Sequence, residues 1–379
     1  MPVRRVDAIP LRYPLDEGDE YGSVRGVVRD RVSVLVRLET DDGSVGWGES
    51  FGPPESVSTI VDELLADFVV GTDPVEVTSL SERLYSGPYH FSRSGLFQCA
   101  ASGVDIALWD LYGKLVDRSV CSLLGGASGR TVQPYASTSM HTEDDRRKLE
   151  AALEQAVDEG FSAAKIKVGR GLENDVERVE TARDILGTDA RLMLDVNGNY
   201  QASQATALAR AVEPYDITWL EEPVPPTDLD GYREVRSNSS IPVAGGEAAF
   251  GRFEFERLLS ERRVDIAMPD VSMSGGVSEA MKIADLATTE NLAVSPHVWM
   301  GAIGLVASLH FAHALPTYPH SRHYPEPVLF EVDRAENPLR DDLLVDELTL
   351  NGEHVPAPDG LGLGIEPDEA TIERYRIDE

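Results

Sequence analysis

The chain opens with apolar and polar residues alternating at a period of two. The pattern covers residues 3–13, 32–38 and 45–49, with an Asp41-Asp42-Gly43 turn before the third run, and it predicts antiparallel strands. A polar loop over 16–21 separates the first two and reads either as a flap or as a solvent-exposed connection. The period then lengthens. Apolar positions recur at helical spacing over 56–69, 73–84 and 97–115, the last through Ala100, Val104, Ala107, Leu108 and Leu111, and Pro74 suits a first helical turn. Together these stretches predict an α+β unit over residues 1–125, bounded near Gly125-Gly126-Ala127.

Beyond that boundary short apolar strands alternate with helical stretches. Strands are expected at 132–137, 163–168, 191–195, 217–221, 241–247, 264–270, 291–297 and 328–332. Helices are expected at 146–160, 173–186, 202–212, 253–259 and 278–289. Eight strands with intervening helices predict an α/β fold, a (β/α)8-type barrel over 126–349, rather than an open doubly wound sheet. No G-x-G-x-x-G follows any strand, which argues against a dinucleotide fold. Residues 350–379 return to mixed patterning and are expected to pack back on the first unit.

Composition narrows the function classes. The 379 residues hold 34 Lys+Arg against 66 Asp+Glu, a formal net charge of −32, which disfavours nucleic acid or an anionic membrane as a partner. The chain is 42% hydrophobic, so the acidity is not a sign of disorder. Acidic excess with only five lysines instead suggests a surface adapted to high salt, hence a halophilic host. Two cysteines, Cys99 and Cys121, make no disulfide framework and read as small buried residues. No signal-peptide core and no 18-residue apolar run is found, so a cytoplasmic protein is expected.

The chemistry collects at the strand ends, where barrel enzymes place catalytic groups. The last residues of successive strands include Lys167, Asp195, Glu221, Glu247, Asp270 and His297, with Glu331 inside the eighth, at intervals of 28, 26, 26, 23, 27 and 34. Any one such residue could be a helix cap or a solvated turn; seven in succession are harder to explain that way. Asp195, Glu221 and Glu247 would converge, and three close carboxylates need a cation. All-oxygen ligation favours Mg2+, then Mn2+, over zinc.

Lys165 and Lys167, two apart on one strand, would share a face roughly 6–7 Å apart. Lys167 and His297 flank the carboxylates from opposite sides, an arrangement suited to proton transfer on both faces of one carbon. The charge of Lys165 is expected to help Lys167 lose its proton, and Asp270 to hold the imidazole. Glu331 would donate a hydrogen bond if protonated, with Glu326 as the rival late glutamate. Asn197 and Glu222, each close in sequence to a carboxylate ligand, are candidate outer contacts to the metal site or substrate-binding residues, with a solvent-facing role as the alternative. Ser137 reads as a possible substrate contact or, more simply, a turn residue.

These motifs resemble the mandelate racemase subgroup of the enolase superfamily: Lys165-Ile166-Lys167, Leu194-Asp195, Leu220-Glu221-Glu222-Pro223, Gly246-Glu247, Pro269-Asp270, Ser295-Pro296-His297, a late glutamate and Leu361-Gly362-Leu363-Gly364. The resemblance implies that the first 125 residues and the C-terminus form a cap whose loop, with Tyr21 and Arg25, closes over a small-molecule substrate, and that the chain forms a homo-oligomer. It implies Mg2+-dependent removal of a proton α to a carboxylate. The lysine motif with an Asp-His pair, and the polar loop, favour dehydration of a sugar acid to a 2-keto-3-deoxy acid. A racemase or epimerase is the first alternative and a non-catalytic binding barrel the second. Cycloisomerisation is the less favoured outcome, because that pattern carries lysine on the sixth strand, where this chain has Asp270.

Overall fold

The computed structural model describes residues 1–126, 130–141, 145–316 and 326–377; Ala127 and the Pro-rich stretch up to residue 325 lie outside them. The alternating N-terminal runs form the antiparallel strands β1 (Val3–Pro14), β4 (Asp30–Thr40) and β5 (Val45–Ser50), in the order β1-β4-β5. Helix α1 (Leu96–Leu115) lies against this sheet. It comes so close that a Cβ on Gly46 or Gly48 would strike the backbone of Ala107 or Gly103, which accounts for glycines at alternate positions of β5.

Between β1 and β4 the chain forms a two-stranded hairpin, β2 (Tyr21–Ser23) and β3 (Gly26–Val28), where the sequence pattern predicts only a loop. Three-residue strands of Tyr-Gly-Ser and Gly-Val-Val are too short for a period of two to show. The hairpin is tied to the barrel by reciprocal backbone bonds between Gly22 and Met140, 2.9 and 3.0 Å.

Eight parallel strands follow: β6 (Val132–Ser137), β7 (Ala163–Lys167), β8 (Arg191–Asp195), β9 (Ile217–Glu221), β10 (Val243–Gly245), β11 (Ile266–Ala267), β12 (Ala293–Val294) and β13 (Val328–Asp333). Their order, β12-β11-β10-β9-β8-β7-β6-β13, nearly closes a barrel. At the β12–β13 seam side chains bridge the gap: Ser295 Oγ donates to Leu329 O at 2.7 Å, and Val298 N donates to Glu331 Oε2 at 3.0 Å. Strands β10, β11 and β12 are shorter than their apolar runs predict. Beyond them the pairing thins to single backbone bonds, Met268 N to Gly245 O and Ser295 N to Ala267 O at 3.0 Å each, and an isolated bridge between Asp270 and His297.

Of the described helices between barrel strands, two escape the periodicity. Leu229–Ser237 is short and carries a glycine. Ala302–Ala314 is apolar on every side, because it is buried between barrel and cap, and such a helix shows no amphipathic stripe.

Alternation along the strands layers the barrel interior. Tyr135, Ala163, Met193, Trp219, Ala244, Met268 and Leu329 pack into an apolar plug. Two residues further along β7, β8, β9 and β13 the same inward face carries Lys165, Asp195, Glu221 and Glu331, all buried. The floor is dry and the mouth is charged.

Buried acids fasten the cap to the barrel. Glu49, at the end of β5, accepts from Ser33 Oγ (2.7 Å), Gly301 N (2.8 Å) and Gly304 N (2.7 Å), so it sits on the N-terminus of helix Ala302–Ala314. Asp105 of α1 accepts from Ser278 N in the first turn of helix Gly276–Thr289, 2.9 Å. Arg31 of β4 pairs with Asp333 of β13 at 2.7 Å, both almost fully buried. The C-terminal segment touches both parts: Ile377 N donates to Pro10 O and Val355 N to Val132 O, each at 2.9 Å.

Candidate active site

The site lies at the C-terminal mouth of the barrel, under the β2–β3 hairpin. Its cavity holds about 390 Å3 and is walled by Lys167, Asn197, Glu247, Met273, His297 and Trp299 from the barrel, and by Phe51 and the hairpin from the cap. A carboxylate oxygen from each of Asp195, Glu221 and Glu247 lies within 4.8 Å of the others. Asp195 and Glu221 are fully buried, whereas Glu247 faces the cavity, and its buried Oε2 has no hydrogen-bond partner among the described residues.

Lys165 is completely buried, with Nζ 2.6 Å from Glu221 Oε1 and 2.8 Å from Glu331 Oε1, above the Tyr135 ring. Burial alone would lower its pKa, but Glu221 and Glu331 outweigh it and hold the pKa well above the usual lysine value. Lys165 is therefore a fixed charge. Glu331, reached by that charge and by the Val298 N–H, is pushed down to about 2 against the effect of burial. In the protein alone the condition for a hydrogen-bond donor is therefore not met, and Glu331 is an ionised acceptor and counter-ion. Glu326 lies elsewhere, exposed and 3.3 Å from Arg191 at the start of β8.

Lys167 Nζ lies 2.5 Å from Asp195 Oδ2 and 5.5 Å from the centre of the Trp299 ring. Burial and Lys165 push its pKa down, but Asp195, Glu247 and Glu221 push it up, and the net direction is up. Lys165 thus acts on Lys167 in the expected direction, but the carboxylates outweigh it. In the protein alone the carboxylates prevail. His297 Nδ1 is 2.7 Å from Asp270 Oδ2, and Nε2 is 3.5 Å from Glu247 Oε2. Burial would lower its pKa; Glu247 and the Asp270 hydrogen bond overcome that and raise it to about 10, so the imidazole is charged at neutral pH. Asp270 is itself oriented by the Ser272 N–H, 2.7 Å.

Three cations, Lys165, Lys167 and His297, thus face five carboxylates, Asp195, Glu221, Glu247, Asp270 and Glu331. The acids outnumber the cations, and burial together with the neighbouring carboxylates pushes Glu221 up to about 7 despite Lys165, a sign of uncompensated negative charge. A divalent ion would offset it, and donors that are all oxygen suit a hard one, so the residues fit Mg2+.

Of the remaining candidates, Tyr21, Arg25 and Asn197 line the cavity. Tyr21 is buried against Trp299 with Arg31 over its ring at 4.2 Å, and burial raises its phenol to about 12. Arg25 spends Nε and Nη2 on the carbonyls of Asn197 (2.6 Å) and Gly198 (2.8 Å). Ser137 is fully buried at the end of β6, off the cavity wall. Glu222 lines a different cavity of about 350 Å3 with Tyr232 and Arg257. Trp299, Phe51 and Met273 have no counterpart in the sequence reading. Trp299 could have been found, since it follows His297 by two.

A parallel barrel whose mouth carries these groups beneath an α+β cap defines a class, and comparison with known proteins identifies it. Residues 22–125 match the mandelate racemase / muconate lactonizing enzyme N-terminal domain, and residues 148–371 match the enolase C-terminal domain-like family. The chain belongs to the mandelate racemase subgroup of the enolase superfamily. It is 38% identical over 379 residues to a D-galactarolactone cycloisomerase of Agrobacterium fabrum, covering 100% of this chain and 99% of that one. It is 31% identical over 366 residues to an arabinonate dehydratase of Saccharolobus solfataricus, covering 95% of each. A racemase from Streptomyces coelicolor A3(2), solved with bound magnesium, superposes with a TM-score of 0.88 at 28% identity, over 99% of this chain and 100% of that one. The protein is thus an enzyme of a family that processes acid sugars.

Proposed function

We propose that this enzyme removes the α-proton of a sugar acid and eliminates its β-oxygen, dehydrating the substrate to a 2-keto-3-deoxy acid. The observation that carries the reading is the pairing of two proton-transfer groups of different character across one carboxylate centre. Lys167 comes from β7, the charged His297–Asp270 pair from beyond β12 and β11, and the three carboxylates lie between them. Asp195, Glu221 and Glu247 would hold Mg2+, as the magnesium-bound relative supports. A divalent cation held there would supply positive charge to the substrate carboxylate and would offset the field of Asp195, Glu221 and Glu247 that keeps the proton on Lys167.

Lys167, as the neutral amine, takes the α-proton, and the C–H electrons move into the carboxylate to form the enediolate of the substrate. Lys165, unable to lose its own proton, offsets that charge from beneath. His297 then gives its proton to the β-oxygen as the C–O bond breaks, and the enol tautomerises to the keto acid. If the β-oxygen is a hydroxyl, water leaves. If it belongs to a ring within the substrate, the same proton transfers open the ring, and similarity to a cycloisomerase favours keeping this second reading. Return of a proton by His297 to the α-carbon itself would give an epimer.

The test is incubation with Mg2+ and a panel of aldonates, aldarates and their lactones in D2O. Keto acid formed from open-chain acids supports dehydration. Keto acid from lactones or anhydro acids alone supports ring opening, and α-deuterium without keto acid supports epimerisation. An inert protein across a broad panel refutes the proposal.

A further inference from the structure

Arg25 stands in the turn of the β2–β3 hairpin and is largely exposed. Its Nε and Nη2 donate to two successive carbonyls, Asn197 O and Gly198 O, at 2.6 and 2.8 Å. The first of these residues, Asn197, faces the carboxylates on its other side, while Gly198 N donates to Glu222 O at 2.7 Å. Asn197 N donates to Asp195 Oδ1 at 2.8 Å, Asn197 Nδ2 donates to Asp195 Oδ2 at 3.1 Å, and Nδ2 lies 3.5 Å from Glu247 Oε1. One short turn is thus gripped by the flap from above and touches two of the three carboxylates below.

The turn takes a left-handed path that few residue types adopt. Asn197 has φ +46°, a region costly for a residue with a Cβ, and Gly198 has φ +65°. A Cβ on Gly198 would lie 2.6 Å from Arg25 Nη2, so a glycine leaves the space through which the guanidinium reaches the carbonyls. Without the two charge-assisted bonds, nothing else from the hairpin holds those carbonyls among the described residues.

We infer that Arg25 is a positioning residue for the carboxylate centre. By fixing the Asn197-Gly198 turn it sets Asp195 and Glu247 for a divalent cation, although it touches no carboxylate ligand itself. The inference rests on the metal reading above. Coupling of this kind is reciprocal: the factor by which the closed hairpin tightens the cation is the factor by which the cation closes the hairpin. Because Arg25 is exposed, solvent screens its bonds, and the factor should be a few-fold rather than many orders.

Charge alone predicts the opposite sign. Removing a cation from beside a cation site should tighten metal binding, whereas loss of positioning should weaken it. The experiment is titration of the metal-free, full-length protein with Mn2+, following free Mn2+ by electron paramagnetic resonance, for wild type, Arg25→Met and Arg25→Lys. We expect the dissociation constant to rise roughly three- to tenfold in Arg25→Met, with Arg25→Lys between, and unchanged melting of the metal-free proteins. Hydrogen exchange of amides 21–28 should slow on adding Mn2+ in wild type by a similar factor, and much less in Arg25→Met. An unchanged or lower dissociation constant in Arg25→Met overturns the inference while leaving the proposed chemistry intact. A wild-type protein that takes no Mn2+ overturns the metal reading, and this inference with it.

Discussion

At the scale of single residues, position relative to two neighbours decides what each charged group can do. Lys165 and Lys167 are chemically alike and two apart, yet Lys165 is locked between Glu221 and Glu331 while Lys167 reaches the cavity. The His297–Asp270 pair is similarly specific, since Nδ1 is taken by Asp270 and only Nε2 is left for substrate. Asp270→Asn keeps a side chain of the same shape but removes the charge that stabilises the imidazolium. We expect kcat to fall by roughly 100-fold or more, with KM for the sugar acid changing little. Steady-state kinetics on the substrate found in the panel checks this, and an unchanged kcat would remove the pair from the mechanism. The sequence already placed these residues, because a repeat of about 26 residues returned an ionisable group to each strand end. It could not assign the protonation of Glu331 or Lys167, which depends on distances of 3 Å across the barrel between residues far apart in the chain.

At the scale of elements, the helix Ala302–Ala314 shows how a segment without period finds its place. It carries His310, fully buried, whose Nδ1 accepts from Cys121 N at 3.0 Å and whose Nε2 lies 3.1 Å from Leu363 O, joining barrel helix, cap and C-terminal segment. Burial lowers its pKa to about 4. Below about pH 6.5 an unfolded chain protonates this histidine while the folded one refuses the proton, so stability falls as pH drops from there toward 4. Between pH 7 and pH 5 the loss from this residue should be about 2 kcal/mol. His310→Gln should be less stable at pH 7, yet should lose that much less on acidification. Urea midpoints at the two pH values test it; equal losses in both proteins would contradict the assignment. Sequence periodicity missed this helix because it has no apolar stripe, and it missed the β2–β3 hairpin because three residues are too few to show alternation.

At the scale of the whole molecule, the formal charge of −32 is spread over a folded chain with few lysines to answer it. Self-repulsion acts over roughly 30 Å at 0.01 M salt and only roughly 3 Å at 1 M. We expect the melting temperature to fall steadily as salt is withdrawn over this range, by well over the change seen for a near-neutral protein. Differential scanning calorimetry at several NaCl concentrations checks it, and a melting temperature independent of salt would count against adaptation to high salt. The charge has no comparable hold on the site. There the acidic surplus is local, and a divalent ion would offset it.

The sequence by itself determined the barrel, the cap in front of it and the ring of strand-end groups, because these follow from periods of two and 3.6 and from a repeat that any correct register preserves. Only the tertiary structure decided which of those groups are free to react. It seated Lys165 beneath the carboxylates rather than beside the substrate, left Ser137 and Glu222 off the cavity, added Trp299 and Phe51 to its wall, and turned Arg25 toward the backbone of the Asn197-Gly198 turn. The physical reason is common to all of these. A residue's place on a strand is a local property of the chain, but its charge state and its partners are set by groups brought within a few ångströms from other strands, and no local pattern records them.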